Sequence, residues 1–186
     1  MTNPNPHTFA EIYAAAEEAF QHCQQLCERF SEEAFQESAN DKWSAAQNLD
    51  HLIRSTEPLT QGLNLPTLAF KALGRPNRPV RSYEEVVARY HTKLEEGAVA
   101  TGPYVAKEEP GSQKQLLDKW QKASAAFLKI IKKKWDDEAK LNKFLLPHPL
   151  LGKIMVREMF FFTIYHTWHH SKAIEEILNS SSISSP

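Results

Sequence analysis

The run VREMFFFTIYHTWHHSKAIEEI, residues 156–177, decides how the chain folds. Val156, Met159, Thr163, His166, His170, Ala173 and Ile177 recur at steps of three and four, one continuous stripe of a helix. His166 and His170 lie on that stripe one turn apart, with Cβ atoms about 6 Å from each other. Two imidazoles aimed into an apolar interior need hydrogen-bond partners or a metal, because burying each unsatisfied costs on the order of 1–3 kcal/mol. The spacing lets both converge on one ion at about 2.0–2.1 Å. It serves equally for a pair of core histidines bonded to hydroxyls and carbonyls. His169 is turned about 100° around the axis and is the weaker candidate.

Outward from this run, the rest of the 186 residues reads as helical blocks separated by Pro- and Gly-containing joints. The first block, about Thr8 to Phe30, opens with Thr8 and Glu11 at capping-box spacing. Its stripe is Phe9, Ile12, Ala16, Ala19, Cys23, Leu26 and Phe30. Ser44 with Gln47 opens a second block that runs to about Gly62, and Ser82 with Glu85 a third that ends near Gly97. A fourth, about Ser112 to Trp135, turns Leu116, Trp120, Ala123, Phe127, Ile130 and Ile131 inward. The fifth starts after Pro149 and Gly152 and runs to about Asn179. The joint from Gly62 to Arg81 holds one short helical turn around Leu68–Leu73, and the joint from Gly97 to Gly111 is an irregular loop. No strand-like alternation stands out. The expectation is an all-α, antiparallel four-helix bundle with an additional helix and loop insertion and no sheet. It forms a single domain over residues 1–179, followed by a flexible Ser-rich tail at 180–186.

Composition removes several classes. Lys and Arg total 22 against 23 Asp and Glu, a net charge of −1, so no global basic field holds nucleic acid or anionic lipid. Lys129, Lys132, Lys133 and Lys134 cluster where a helix ends, and there they complement the carbonyl end of its dipole. The six glycines form neither a dinucleotide fingerprint nor a phosphate loop. Cys23 and Cys27 are spaced as helix neighbours and are expected to be reduced, buried thiols. The N-terminal residues lack a secretory pattern, and no apolar stretch approaches a membrane span. A cytoplasmic protein is expected.

Of the remaining histidines, His7, His22, His91 and His148 have no partner at ligand spacing and are assigned to surface or loop positions. His51 follows the capping Ser44 by seven residues, with polar Ser44, Asn48 and Ser55 at helical spacing around it. Taken alone, it reads as a surface residue.

The run W-S-x-x-Q-x-L-x-H-L at 43–52 and the run H-x-x-H-H-x-x-x-I at 166–174 resemble the signature segments of the DinB-like (YfiT-like) superfamily, as does His148-Pro149-Leu150-Leu151-Gly152-Lys153. The resemblance implies a four-helix bundle carrying a divalent metal, zinc or nickel, on three histidines. Carried over residue by residue, these are His51, His166 and His170. Three neutral imidazoles leave a coordination position open, the mark of a catalytic site. The implied chemistry is metal-dependent hydrolysis, or transfer of a low-molecular-weight thiol onto an electrophile. A small-molecule substrate and a homodimer go with it. The competing class is a non-enzymatic metal- or small-molecule-binding bundle, dimerising as an interaction protein. No H-E-x-x-H run is present, which argues against a zinc protease. Each ligand imidazole needs an acceptor for its other N–H. Asp50, Glu175 and Glu176 point away, so the acceptors and any general base are not identified.

Overall fold

Serine or threonine three residues ahead of Glu or Gln starts each of four long helices. In the computed structural model, which describes residues 5–38 and 42–183, Thr8, Ser44, Ser82 and Ser112 each accept the backbone N–H three positions on. Glu11, Gln47, Glu85 and Gln115 reach back to the N–H of the cap. Each box satisfies two N–H groups that a helix start otherwise leaves open. The order of elements is α1 (Phe9–Cys27), α2 (Glu32–Gln36), α3 (Ala45–Leu63), α4 (Thr67–Lys71), α5 (Tyr83–Glu95), a 3-10 turn (Gly102–Tyr104), α6 (Gln113–Lys134), α7 (Glu138–Leu141), β1 (Leu145–His148), β2 (Gly152–Met155) and α8 (Val156–Ile183).

The expected blocks are present, with shifted ends. α1 stops at Cys27, and Ser31 caps the short α2 by accepting the N–H of Ala34. Asp137 caps α7 in the same way. α8 continues past Asn179 to Ile183; the remaining tail residues, 184–186, lie outside the described residues, as do 1–4 and 39–41.

The expectation of no sheet is corrected. β1 and β2 form a two-stranded antiparallel hairpin in register from Leu145 with Met155 to His148 with Gly152. Gly152 takes φ +73°, a left-handed value that glycine adopts without a Cβ clash, and this closes the turn. Leu146 and Ile154 face each other and are buried, whereas Pro147 opposite Lys153 is exposed. Four-residue strands are too short for alternation to register, and Pro147 and Pro149 read as breakers although edge strands tolerate proline.

The helices pack as a closed ring: α1 on α6 and α8, and α3 on α6 and α8, with α5 laid against α8. Inside the ring, Trp120, Trp135, Phe127 and Phe160 are fully buried. The indole N–H of Trp120 donates to the carbonyl of Phe20, and that of Trp135 to the carbonyl of Leu63, so neither large ring buries an unpaired donor. Cys23 and Cys27 are buried free thiols. The start of α8 is tied down by Glu158, whose side chain is fully buried. Its two carboxylate oxygens take the Arg78 guanidinium at 2.5 and 2.6 Å and the backbone N–H groups of Arg81 at 2.8 Å and Met155 at 3.0 Å. A forked, charge-assisted pair of this kind fixes direction as well as distance. It orients the first turn of the helix that carries His166 and His170.

Candidate metal centre

Packing α3 on α8 brings His51 opposite His166 and His170. The Nε2 atom of His166 lies 3.0 Å from that of His51 and 3.2 Å from that of His170. Nitrogens bound to one ion at about 2.0–2.1 Å stand roughly 2.9–3.4 Å apart, depending on the angle at the metal. The spacing fits that geometry. All three residues are buried, and their ligand atoms form a group that could hold a metal ion.

Hydrogen bonds behind the rings decide which nitrogen faces the centre. Nδ1 of His51 is 2.6 Å from the backbone carbonyl of Tyr104, which can only accept. Nδ1 of His170 is 2.7 Å from Oδ1 of Asn48. The Asn48 amide N–H donates to the carbonyl of Ser44 at 2.8 Å, so its oxygen is the end turned to His170. Both rings therefore carry their proton on Nδ1 and aim the Nε2 lone pair inward. One proton on His166 Nε2 cannot serve two such acceptors, and a cation can. Acceptors behind metal-ligating imidazoles have this role.

The Tyr104 carbonyl is held in place by the face of α3 that also bears His51. Asp50 accepts the backbone N–H of Lys107 at 3.0 Å and Nε of Arg54 at 2.6 Å. Arg54 donates to the carbonyl of Pro103 at 3.3 Å, and Gln47 to that of Lys107 at 3.4 Å. Residues 103–107 are thus strapped across α3. Aromatic walls restrict the rings further: Trp43 stacks 19° from the plane of His170, and Phe162 22° from that of His166.

Burial holds His51 below the usual imidazole range, against the pull of the Tyr104 carbonyl and the Asp50 carboxylate. Burial also pushes His166 and His170 well below it, reinforced by the mutual repulsion of neighbouring imidazoles. Neutral rings at pH 7 are the form that binds metal.

The centre opens on a cavity of about 540 Å³, the size of a small-molecule site. His148 lines it, and its assignment to a surface or loop position is corrected. It closes β1, is buried, and its ring packs edge-on 4.1 Å from Phe162. Nδ1 of His148 accepts the N–H groups of Leu150 and Leu151, both at 3.1 Å, so the proton sits on Nε2. Burial pushes this ring down to about 4. His169 also lines the cavity but stands outside the three-nitrogen group. His22 lies within α1, half-buried against Trp168, rather than on a loop. His7 and His91 are exposed, as expected.

Asn48 and the Tyr104 carbonyl are the acceptors that sequence reasoning does not identify. The polar residue one turn ahead of His51 is a visible signal for the first; a backbone carbonyl 53 positions away leaves none.

Fold and site together define a class: a mostly helical protein in which two helices bring three buried imidazoles to the end of a cavity. The profile of the DinB superfamily matches residues 15–174, a span that includes all three histidines, and the chain belongs to that superfamily. Its structure is similar to the crystal structure of a DinB-like protein from Bacillus cereus ATCC 10987. The TM-score is 0.60 at 14% identity, covering 94% of this chain and 93% of that chain, a likeness of fold. No curated protein matches the chain. Among the described residues, no helix is long and apolar enough to cross a membrane.

Proposed function

We propose that the chain is a metal-dependent enzyme that holds a divalent ion, zinc or nickel, on His51, His166 and His170, and acts as a hydrolase or as a transferase of a low-molecular-weight thiol. The observation that carries this reading is the inward convergence of three Nε2 atoms, two of them with their tautomers set from behind, at the wall of a cavity. When bound, such an ion supplies a Lewis acid that lowers the pKa of water toward about 7 or holds a thiol as thiolate. The chain's own contribution is to keep the imidazoles neutral, to fix their rings between Trp43 and Phe162, and to present a largely apolar cavity wall beside them. His148 offers a neutral Nε2–H donor on the cavity wall. The ring of α1, α3, α6 and α8 is read as the antiparallel four-helix bundle of this class. A small-molecule substrate, a cytoplasmic setting and a homodimer complete the proposal.

Elemental analysis of the purified protein beside His170→Ala tests it. One zinc or nickel per chain, lost in the variant, is expected, together with turnover in a panel of esters, thiols and electrophiles. Equal metal content in both proteins overturns the site. Metal without turnover across the panel favours the binding-protein reading.

A further inference from the structure

We infer that the cavity takes an uncharged, largely apolar small molecule whose polar end faces the three imidazoles; this deepens the proposed function and rests on it for the reacting end. None of the described residues lining the cavity is Asp, Glu, Lys or Arg. The hydroxyls of Ser55, Thr163 and Thr167 donate to carbonyls of their own helices, so these side chains bring no free proton to a ligand. The rest of the polar lining outside the three-histidine group, Thr56, Tyr90, Thr101, Tyr104, His148 and His169, carries no carboxylate or ammonium. Two apolar side chains stand at the rim: Leu65 and Val99 belong to the wall and are 51% and 70% exposed. Exposed aliphatic side chains at the mouth of an uncharged pocket lose water when an apolar ligand enters, which favours binding. An ammonium in the same place gives up its hydration, meets no opposite charge among the wall side chains and faces the like charge of the proposed ion. An anion finds a counter-charge only at that ion, where a sulfonate is a poor ligand. A thiol bearing carboxylate or ammonium groups does not fit whole. If thiol transfer is the reaction, the cavity houses the apolar electrophile, and the charged part of the thiol stays outside the mouth.

Three probes with one skeleton separate the cases: 4-phenylbutanamide, 4-phenylbutylammonium and 4-phenylbutane-1-sulfonate, the last chosen because sulfonates are poor metal ligands. Titration calorimetry on the purified protein should show the amide binding tighter than either ion by on the order of tenfold or more. Leu65→Lys, at an exposed position that leaves the core untouched, should raise sulfonate affinity and leave ammonium no better. Equal or tighter binding of either ion overturns the inference, as does failure of the amide to bind at millimolar concentration. An amide preference with no response to Leu65→Lys also overturns it, because the probe then sits elsewhere. The same titration on His170→Ala keeps this test apart from the metal reading. A protein that takes up no metal yet prefers the amide refutes the metal site alone; a metal-loaded protein that prefers an ion refutes the apolar ligand alone.

Discussion

Asn48 and His170, 122 positions apart, share a 2.7 Å hydrogen bond that turns the imidazole's lone pair toward the other two rings. Asn48→Ala removes the acceptor and leaves the His170 ring free to rotate or change tautomer. Metal affinity should fall by about 10–100-fold, with the fold retained. Competition against a chromophoric chelator measures it, and unchanged affinity would mean that Asn48 does not orient the ligand.

The three histidines should behave as one unit. Metal bound to the folded state alone raises the melting temperature with the logarithm of its concentration over its dissociation constant. A chelator should therefore lower the wild-type midpoint, and His51→Ala, His166→Ala and His170→Ala should each lose most of that response. His169→Ala, outside the group, should keep it. A wild-type response from His51→Ala would break the set.

The strap over α3 should matter for the site and little for the core. Asp50→Ala releases the N–H of Lys107 and the Arg54 guanidinium, and with them the segment whose carbonyl orients His51. Faster amide exchange across residues 103–107 and weaker metal binding are expected together. Exchange unaltered from wild type would show that the strap is held by other contacts.

Acid should destabilise the fold in a defined window. Burial pushes His148 down to about 4 from an ordinary 6.5, so between these values the unfolded chain binds a proton that the folded chain does not. Stability is full above that window and is lost as pH falls through it. His148→Asn keeps an acceptor for Leu150 and Leu151 without a titrating ring, so its urea-unfolding free energy should fall less steeply with acid. A slope equal to wild type would assign the acid response to the other buried imidazoles.

Glu158→Gln leaves Arg78 without its carboxylate. Breaking a buried pair from one side costs about 3 kcal/mol or more, the low end applying here because Arg78 remains partly solvated. Chemical denaturation measures the loss, and a change below about 1 kcal/mol would place the pair among weak surface bridges.

The helices were legible because their signals are local. Capping boxes at Thr8, Ser44 and Ser82, and stripes three and four residues apart, lie within a few turns of one another. His166 and His170 could be paired for the same reason. His51 could not be reached by spacing; only the resemblance of the 43–52 and 166–174 runs to one superfamily connected it. The Glu158 cluster and the burial of His148 depend on where distant segments land, and four-residue strands carry too little pattern to announce a hairpin. The Tyr104 carbonyl is main chain, and no side-chain identity encodes its role.

The centre is drawn from α3 and α8, with α4, α5, α6 and α7 between them in the chain. A ribosome making this protein has therefore delivered His51 and Asn48 long before residue 170 exists. No nascent intermediate shorter than 166 residues can offer more than one of the three nitrogens, and none shorter than 170 can offer all three. In the proposed metal centre, an ion can meet all three ligands only once α8 has been made and docked on α3.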